Sequence, residues 1–123
     1  MSKELFFDIG ANLTHHSFIK DLDQVIEDAI NVGVTHMCVT GSDLEESISA
    51  YKLASSLPDN LICTAGIHPH RAKEFSINYF SEIKDLLKRD NVKAIGETGL
   101  DFYRNFSTKE EQKKSFEAHI EAS

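Results

Sequence analysis

The stretch Leu61-Ile-Cys-Thr-Ala65, followed directly by Gly66-Ile-His-Pro-His70, decides which fold the chain can adopt. A short, mostly apolar run of this kind is typical of a strand that is buried on both faces, and the glycine marks its end. Two histidines separated by a proline then follow at the carboxyl end of the strand. In parallel α/β sheets this is the end at which binding and catalytic residues collect.

Three similar strands are predicted elsewhere in the chain, and each of them also meets a glycine. They cover Leu5–Ile9, Val34–Thr40 and Val92–Ile95. Because all four strands are short, apolar and bounded by glycine, they are typical of one buried sheet.

Helices are predicted between these strands, because apolar residues recur there every three or four positions. The apolar positions of the four helices include Phe18, Leu22, Val25, Ile26, Ala29 and Ile30, then Leu44, Ile48, Tyr51, Ala54 and Leu57, then Phe80, Ile83 and Leu87, and finally Phe116 and Ile120. Gly33 is placed to end the first helix. Ser42 with Glu45, and Thr108 with Glu111, match the capping-box pattern at a helix start.

Four strand–helix units in a row predict an α/β fold with a parallel sheet, because each right-handed crossover returns the next strand parallel to the last. A doubly wound open sheet and a (β/α)8 TIM barrel share this pattern. A barrel needs eight strands and roughly 250 residues. With 123 residues, the chain corresponds to about half a barrel, and we expect one domain over residues 1–123.

The overall charge limits how the chain can bind polyanions. It carries 13 Lys and Arg residues against 20 Asp and Glu residues, a formal net charge of −7. Broad electrostatic adhesion to nucleic acid or to an anionic membrane is therefore not expected, and a phosphate substrate would require help from a metal ion. With no signal peptide and no stretch of membrane-spanning length, we expect a cytoplasmic location.

The strongest candidates for function follow strands three and four. His68 and His70 can serve as metal ligands, as general acid and base groups, or as hydrogen-bond donors to phosphate, and they can equally be two solvated loop histidines. Glu97 follows a buried strand, where a carboxylate is costly unless a cation or N–H donors meet it. Metal ligation is the sharper interpretation of Glu97, and a structural carboxylate is the alternative.

The segment after Glu97 adds a second acid and a cation. Asp101 can orient a histidine, hold a metal-bound water or cap a turn. Arg104 can meet a substrate phosphate, and Phe102 or Tyr103 can stack on a base. The alternative is that the two aromatic rings pack the loop onto the sheet.

Three segments closely resemble the TatD family of metal-dependent deoxyribonucleases. They are Asp8-Ile-Gly-Ala-Asn-Leu-Thr14, Gly66-Ile-His-Pro-His70 and Gly96-Glu-Thr-Gly-Leu-Asp-Phe-Tyr-Arg-Asn-Phe-Ser107. The resemblance implies a TIM barrel of the metal-dependent hydrolase superfamily. It also implies a magnesium-dependent 3′-to-5′ exonuclease acting on single-stranded DNA and RNA, with a role in repairing oxidised DNA.

The resemblance also implies roles for individual residues. These are a metal ligand, Glu97, an active-site histidine pair, His68 and His70, and residues of the adjoining motif, Asp101 and Arg104. Gly10 and Asn12 stand where many relatives carry a pair of metal-ligating histidines. Their presence favours an oxygen-rich site that suits Mg²⁺ over zinc.

The family's later strands supply further histidine ligands and an aspartate, and this chain ends before any of them. Glu97 is then the only matched ligand, and one carboxylate does not hold a catalytic Mg²⁺. We therefore expect the N-terminal half of such a nuclease, working as a homodimer or with a complementing C-terminal half. The alternatives are a catalytically inactive half-barrel or self-associating binding module, and a related hydrolase of an amide or lactone.

Overall fold

A computed structural model describes residues 4–123, in which four strands form one parallel sheet in the order β1-β2-β3-β4. The strands are β1 (Phe6–Ala11), β2 (Val34–Val39), β3 (Leu61–Ala65) and β4 (Val92–Ile95). Each strand pairs with the next one along the chain. The predicted α/β fold is confirmed.

Four helices connect and follow the strands. They are α1 (Leu22–Val32), α2 (Leu44–Ser56), α3 (Ile77–Leu86) and α4 (Lys109–Ala122), with short 3₁₀ segments at His16–Phe18 and Pro69–Glu74. Gly33 ends α1 in the left-handed conformation, with φ 110°, as its position predicted. The capping box of Thr108 and Glu111 at the start of α4 is confirmed. No helix among residues 4–123 is long and apolar enough to cross a membrane.

The prediction for the start of α2 is wrong. The residue that caps this helix is Asp43, whose carboxylate accepts a hydrogen bond from the backbone N–H of Glu46 at 2.8 Å. The Ser42 hydroxyl instead donates to the Glu46 carboxylate. The cap lies one residue later than predicted because Ser42 belongs to the segment that follows β2, where its carbonyl accepts from the backbone N–H of His68 at 2.7 Å.

The boundaries of the first unit also differ from the prediction. β1 runs through Gly10 to Ala11, because Ala11 still pairs with Val39 of β2. Phe18 lies in a 3₁₀ turn and not in α1. Gly10 is therefore part of the strand and does not mark its end.

The core lies between the sheet and the helices. Val39, Leu61 and Cys63 are almost fully buried there, and Ile83 of α3 belongs to the same buried cluster. Cys38 and Cys63 are buried free thiols, and burial raises the pKa of Cys63 to about 11. By contrast, β1 leaves the large apolar side chains of Phe6, Phe7 and Ile9 exposed, and Leu5 directly before it is exposed as well. An edge strand of this kind needs cover from another segment or another chain.

The carboxyl ends of the strands approach each other closely. A Cβ atom at Gly66 would lie 2.7 Å from the carbonyl carbon of Gly96, so only glycine fits there. The backbone N–H of Glu97 donates to the carbonyl of Gly41 at 2.7 Å. The segments that follow β2, β3 and β4 are therefore held side by side.

Candidate active site at the ends of β3 and β4

His68 lies directly beyond β3 and caps the 3₁₀ segment Pro69–Glu74. Its ring Nδ1 accepts a hydrogen bond from the backbone N–H of His70 at 3.1 Å. Burial and the neighbouring His70 lower the pKa of the His68 imidazole below its ordinary value of 6.5. A neutral ring that accepts at Nδ1 carries its proton on Nε2. His68 is thus set up to donate a hydrogen bond from Nε2.

His70 is brought against Asp101, which arrives from the segment after β4. The distance from His70 Nε2 to Asp101 Oδ2 is 2.5 Å, and 30% of the histidine side chain is exposed. The ring is also bracketed by His68, at a centroid distance of 4.3 Å, and by Phe106 at 4.8 Å. A ring that donates from Nε2 to a carboxylate leaves Nδ1 available to take up a proton.

Asp101 serves both of the structural roles that its sequence position suggested. Its Oδ1 accepts from the backbone N–H groups of Tyr103 at 3.1 Å and Arg104 at 3.0 Å, which caps the turn. Its Oδ2 holds His70 and also accepts from Arg104 Nη1 at 3.1 Å. These donors, the Arg104 backbone foremost and His70 next, hold the pKa of the Asp101 carboxyl well below its ordinary range. Asp101 therefore remains ionised beside the imidazole.

Arg104 lies at the outer side of this pair, with 58% of its side chain exposed. A guanidinium carries five N–H donors, so the contact with Asp101 leaves several of them free for a bound anion. Tyr103 beside it is 92% exposed, and Phe106 is 60% exposed. Of the two rings named in the alternative, Tyr103 does not pack the loop onto the sheet, whereas Phe102 is 39% exposed and therefore covered over most of its surface.

Glu97 directly follows Gly96 at the end of β4 and is exposed to solvent. It is close enough to His68 to act on that ring electrostatically. Glu97 thus lies on the same end of the sheet as the histidine pair. It is not part of the His70–Asp101–Arg104 contact.

Residues 4–123 do not by themselves complete a metal site. Within the described part of the chain, no group of three or more His, Cys, Asp or Glu side chains could hold a metal ion. The reason is visible in the contacts: His68 uses Nδ1 for a backbone contact, while His70 and Asp101 bind each other. A metal ion bound at Glu97 would need ligands from outside residues 4–123.

Buried polar residues of α4 also support the site, and sequence patterns did not single them out for it. Gln112 and His119 are both about 1% exposed. Gln112 contacts the backbone of Asp101, and His119 contacts the backbone of Ile67. Gln112, Ser115 and His119 follow one another at helical spacing and therefore lie on one face of α4. This stripe of polar residues was the sequence pattern that could have identified them.

Solved structures share this arrangement of strands and helices. An uncharacterised amidohydrolase from Saccharomyces cerevisiae matches with a TM-score of 0.88 and 30% identity, over 98% of this chain and 44% of that one. A TatD family hydrolase from Entamoeba histolytica matches with a TM-score of 0.80 and 31% identity, over 96% of this chain and 45% of that one. The four strand–helix units are therefore consistent with about half of a TIM barrel.

Curated relatives with the description 3′-5′ ssDNA/RNA exonuclease TatD include proteins from two bacteria. The protein of Pectobacterium carotovorum is 46% identical over 114 residues, and that of Musicola paradisiaca is 47% identical over 114 residues. The matches cover 93% of this chain and 44% and 43% of the relatives, so the chain spans less than half of their length. The family model for TatD related DNases matches residues 7–123, and the chain therefore belongs to the TatD-related DNase family.

Proposed function

We propose that residues 1–123 form one domain that contributes the N-terminal half of the active site of a metal-dependent 3′-to-5′ exonuclease. The substrates would be single-stranded DNA and RNA, and the cellular role would be DNA repair in the cytoplasm. The observation that carries the proposal is the contact of 2.5 Å between His70 and Asp101, with Arg104 on the same carboxylate. The family and its curated relatives support it.

In this proposal His70 is the general base. Asp101 accepts from Nε2 and fixes the orientation of the ring, so Nδ1 can take a proton from the attacking water. An ionised Asp101 also stabilises the imidazolium that forms. His70, 30% exposed, is open to such a water.

His68 and Arg104 would act on the phosphodiester itself. His68 is neutral and carries its proton on Nε2, so it can donate a hydrogen bond to a phosphoryl oxygen. The leaving oxygen would take its proton from the imidazolium formed on His70. Arg104 would pair with the phosphate through the N–H groups that Asp101 does not use, and Tyr103 would stack on a base. A local cation at this end of the sheet is what an acidic chain requires in order to hold a polyanion.

Glu97 is the residue we propose as a ligand for a divalent metal ion, with Mg²⁺ the preferred species for a carboxylate site. The remaining ligands would come from a second copy of the chain or from a complementing C-terminal half. Either of these would also cover the exposed apolar residues of β1.

A catalytically silent half-barrel is the second candidate. It is favoured by the absence, among residues 4–123, of three side chains that could share a metal ion. Under this proposal the chain would self-associate through β1 and bind without hydrolysis.

Hydrolysis of a 3′-labelled single-stranded oligonucleotide tests the two proposals against each other. The purified chain is assayed with and without Mg²⁺, alone and mixed with the C-terminal remainder of a TatD relative. Activity that requires Mg²⁺ and is lost in both Glu97→Ala and His70→Asn supports the nuclease. A Lys93→Ala variant, which alters an exposed residue of β4, is the matched control. No activity in the mixture, with a folded chain, supports the silent half-barrel.

A further inference from the structure

Helix α4 buries polar side chains where a helix of this kind normally buries apolar ones. Gln112, Ser115 and His119 are 1%, 2% and 1% exposed. Burial of polar groups costs free energy unless hydrogen bonds replace those made to water. Gln112 forms hydrogen bonds with the segment that carries Asp101, and His119 forms one with the segment that carries the histidine pair. These two segments form the candidate active site.

Gln112 holds both backbone groups of one site residue. Its Oε1 accepts from the backbone N–H of Asp101 at 2.7 Å, and its Nε2 donates to the carbonyl of Asp101 at 3.1 Å. The same Nε2 donates to the carbonyl of Ser107 at 2.9 Å. A single side chain thereby fixes the position of Asp101 relative to α4.

His119 holds the other segment. Its Nε2 accepts from the backbone N–H of Ile67 at 2.9 Å, and its Nδ1 donates to the carbonyl of Ser115 at 2.7 Å. Both contacts are satisfied by one neutral tautomer. Ile67 directly precedes His68, so α4 also fixes the start of the histidine segment.

The sheet by itself cannot set the separation of His70 and Asp101. Asp101 lies several residues beyond the last residue of β4, Ile95, in a segment without regular structure until α4 begins. Ser107 adds a further link, because its hydroxyl donates to the His70 carbonyl at 3.2 Å. The contacts that define the relative position of the two segments therefore pass through α4 and the turn before it.

We propose that Gln112 and His119 are positioning residues that align the His70–Asp101 pair from a helix that contributes no side chain to the reaction. The inference rests on the proposed function, because it concerns the roles given there to His70 and Asp101. It adds that the loss of either α4 side chain disorders the pair while the sheet stays folded.

The test is the imidazole proton that His70 shares with Asp101, observed by NMR in the 123-residue chain and assigned by its absence in His70→Asn. A proton held between a ring nitrogen and a carboxylate resonates far downfield. Gln112→Met replaces the amide by an apolar side chain of similar size. Ser115→Ala is the matched control, because Ser115 is equally buried on the same stripe and its hydroxyl has no hydrogen-bond partner among the described residues.

We expect the downfield signal in the wild-type chain and in Ser115→Ala, and its loss or a clear upfield shift in Gln112→Met, with the amide spectrum of the sheet preserved. If Gln112→Met does not fold, Gln112→Glu, which keeps the acceptor for Asp101 N–H, is measured in its place. An unchanged His70 signal in a folded Gln112 variant overturns the inference.

His119 provides an independent arm. His119→Leu removes the acceptor for the Ile67 N–H, and we expect the His70 signal to shift and weaken, whereas His119→Gln keeps a side-chain acceptor and restores it. Equal spectra for the two variants would count against positioning by His119. This test can fail separately from the proposed function. If the NMR signals respond as expected but the assembled enzyme does not hydrolyse the oligonucleotide, only the proposed nuclease function is overturned. No downfield signal in the wild type overturns the His70–Asp101 pair and this inference with it.

Discussion

Helices α3 and α4 bury faces of opposite chemistry. α3 buries Phe80 and Ile83, whereas α4 buries Gln112, Ser115 and His119. The two faces meet where the rings of Phe80 and His119 lie 4.7 Å apart. Apolar burial is strong but has no preferred direction, whereas a hydrogen bond specifies distance and angle. We therefore expect α3 to stabilise the sheet, and α4 to determine where the loops beyond the sheet lie.

The largest loss of stability is expected from a change in α3, the helix whose buried face is apolar. Ile83 is fully buried, so Ile83→Ala should lower the free energy of unfolding by about 2–5 kcal/mol through lost burial and the resulting cavity. Ile77 on the same helix is 82% exposed, and Ile77→Ala should cost less than about 0.5 kcal/mol. Urea unfolding measures both. Equal losses in the two variants would show that α3 does not stabilise the sheet in this way.

A smaller effect is expected where the strand ends meet. Gly66→Ala would place a Cβ 2.7 Å from the Gly96 backbone, so the strand ends must separate, at a cost of about 1–3 kcal/mol. Gly10→Ala is the control, because no atom lies within 4 Å of the added Cβ. Thermal unfolding should show a lower midpoint for Gly66→Ala only. A wild-type midpoint in Gly66→Ala would show that the ends of β3 and β4 do not need to lie this close to each other.

The start of α4 can be weakened without touching either buried face. Thr108→Ala removes one arm of the capping box and should cost about 1 kcal/mol. Thr108→Ser keeps a hydroxyl that can accept from the Glu111 N–H, and it should restore most of the loss. Urea unfolding of the two variants compares them directly. If both are as stable as the wild type, the cap does not stabilise α4.

The smallest expected effect is a pH dependence of the free energy of unfolding, which arises from His119 on α4. Burial lowers the pKa of the His119 imidazole below its ordinary 6.5, so the unfolded chain binds more protons than the folded one below that pH. The stability from neutral His119 is present above pH 6.5 and is lost as the pH falls toward its folded pKa. We expect a loss below about 1 kcal/mol between pH 8 and pH 6.

His119→Gln should remove this share of the pH dependence. His68 contributes a loss of the same sign, because its pKa is also lowered, so a residual slope should remain. Unfolding in urea at a series of pH values measures both slopes. A variant with the full wild-type slope would show that His119 is not held neutral in the folded chain.

The sequence alone determined the order of the elements and the end of the sheet where function collects. β3 and β4 have their predicted bounds because their apolar runs end in glycines. The start of α2 was missed because Ser42 and Asp43 are both good caps, and a backbone hydrogen bond between the segments after β2 and β3 holds Ser42 outside the helix. The sequence also indicated that His68, His70, Asp101 and Arg104 lie near one another, since the carboxyl ends of parallel strands lie side by side.

Only the tertiary structure decided how those residues contact one another. The sequence left Asp101 with three roles, and the folded loop joins two of them, because its carboxylate caps the turn and holds His70 at once. The tertiary structure also shows that Gln112 forms hydrogen bonds with the backbone of Asp101, which lies outside α4. Periodicity reports which face of an element is apolar. It does not report which backbone group a buried polar side chain meets, because that depends on how separate segments pack in three dimensions.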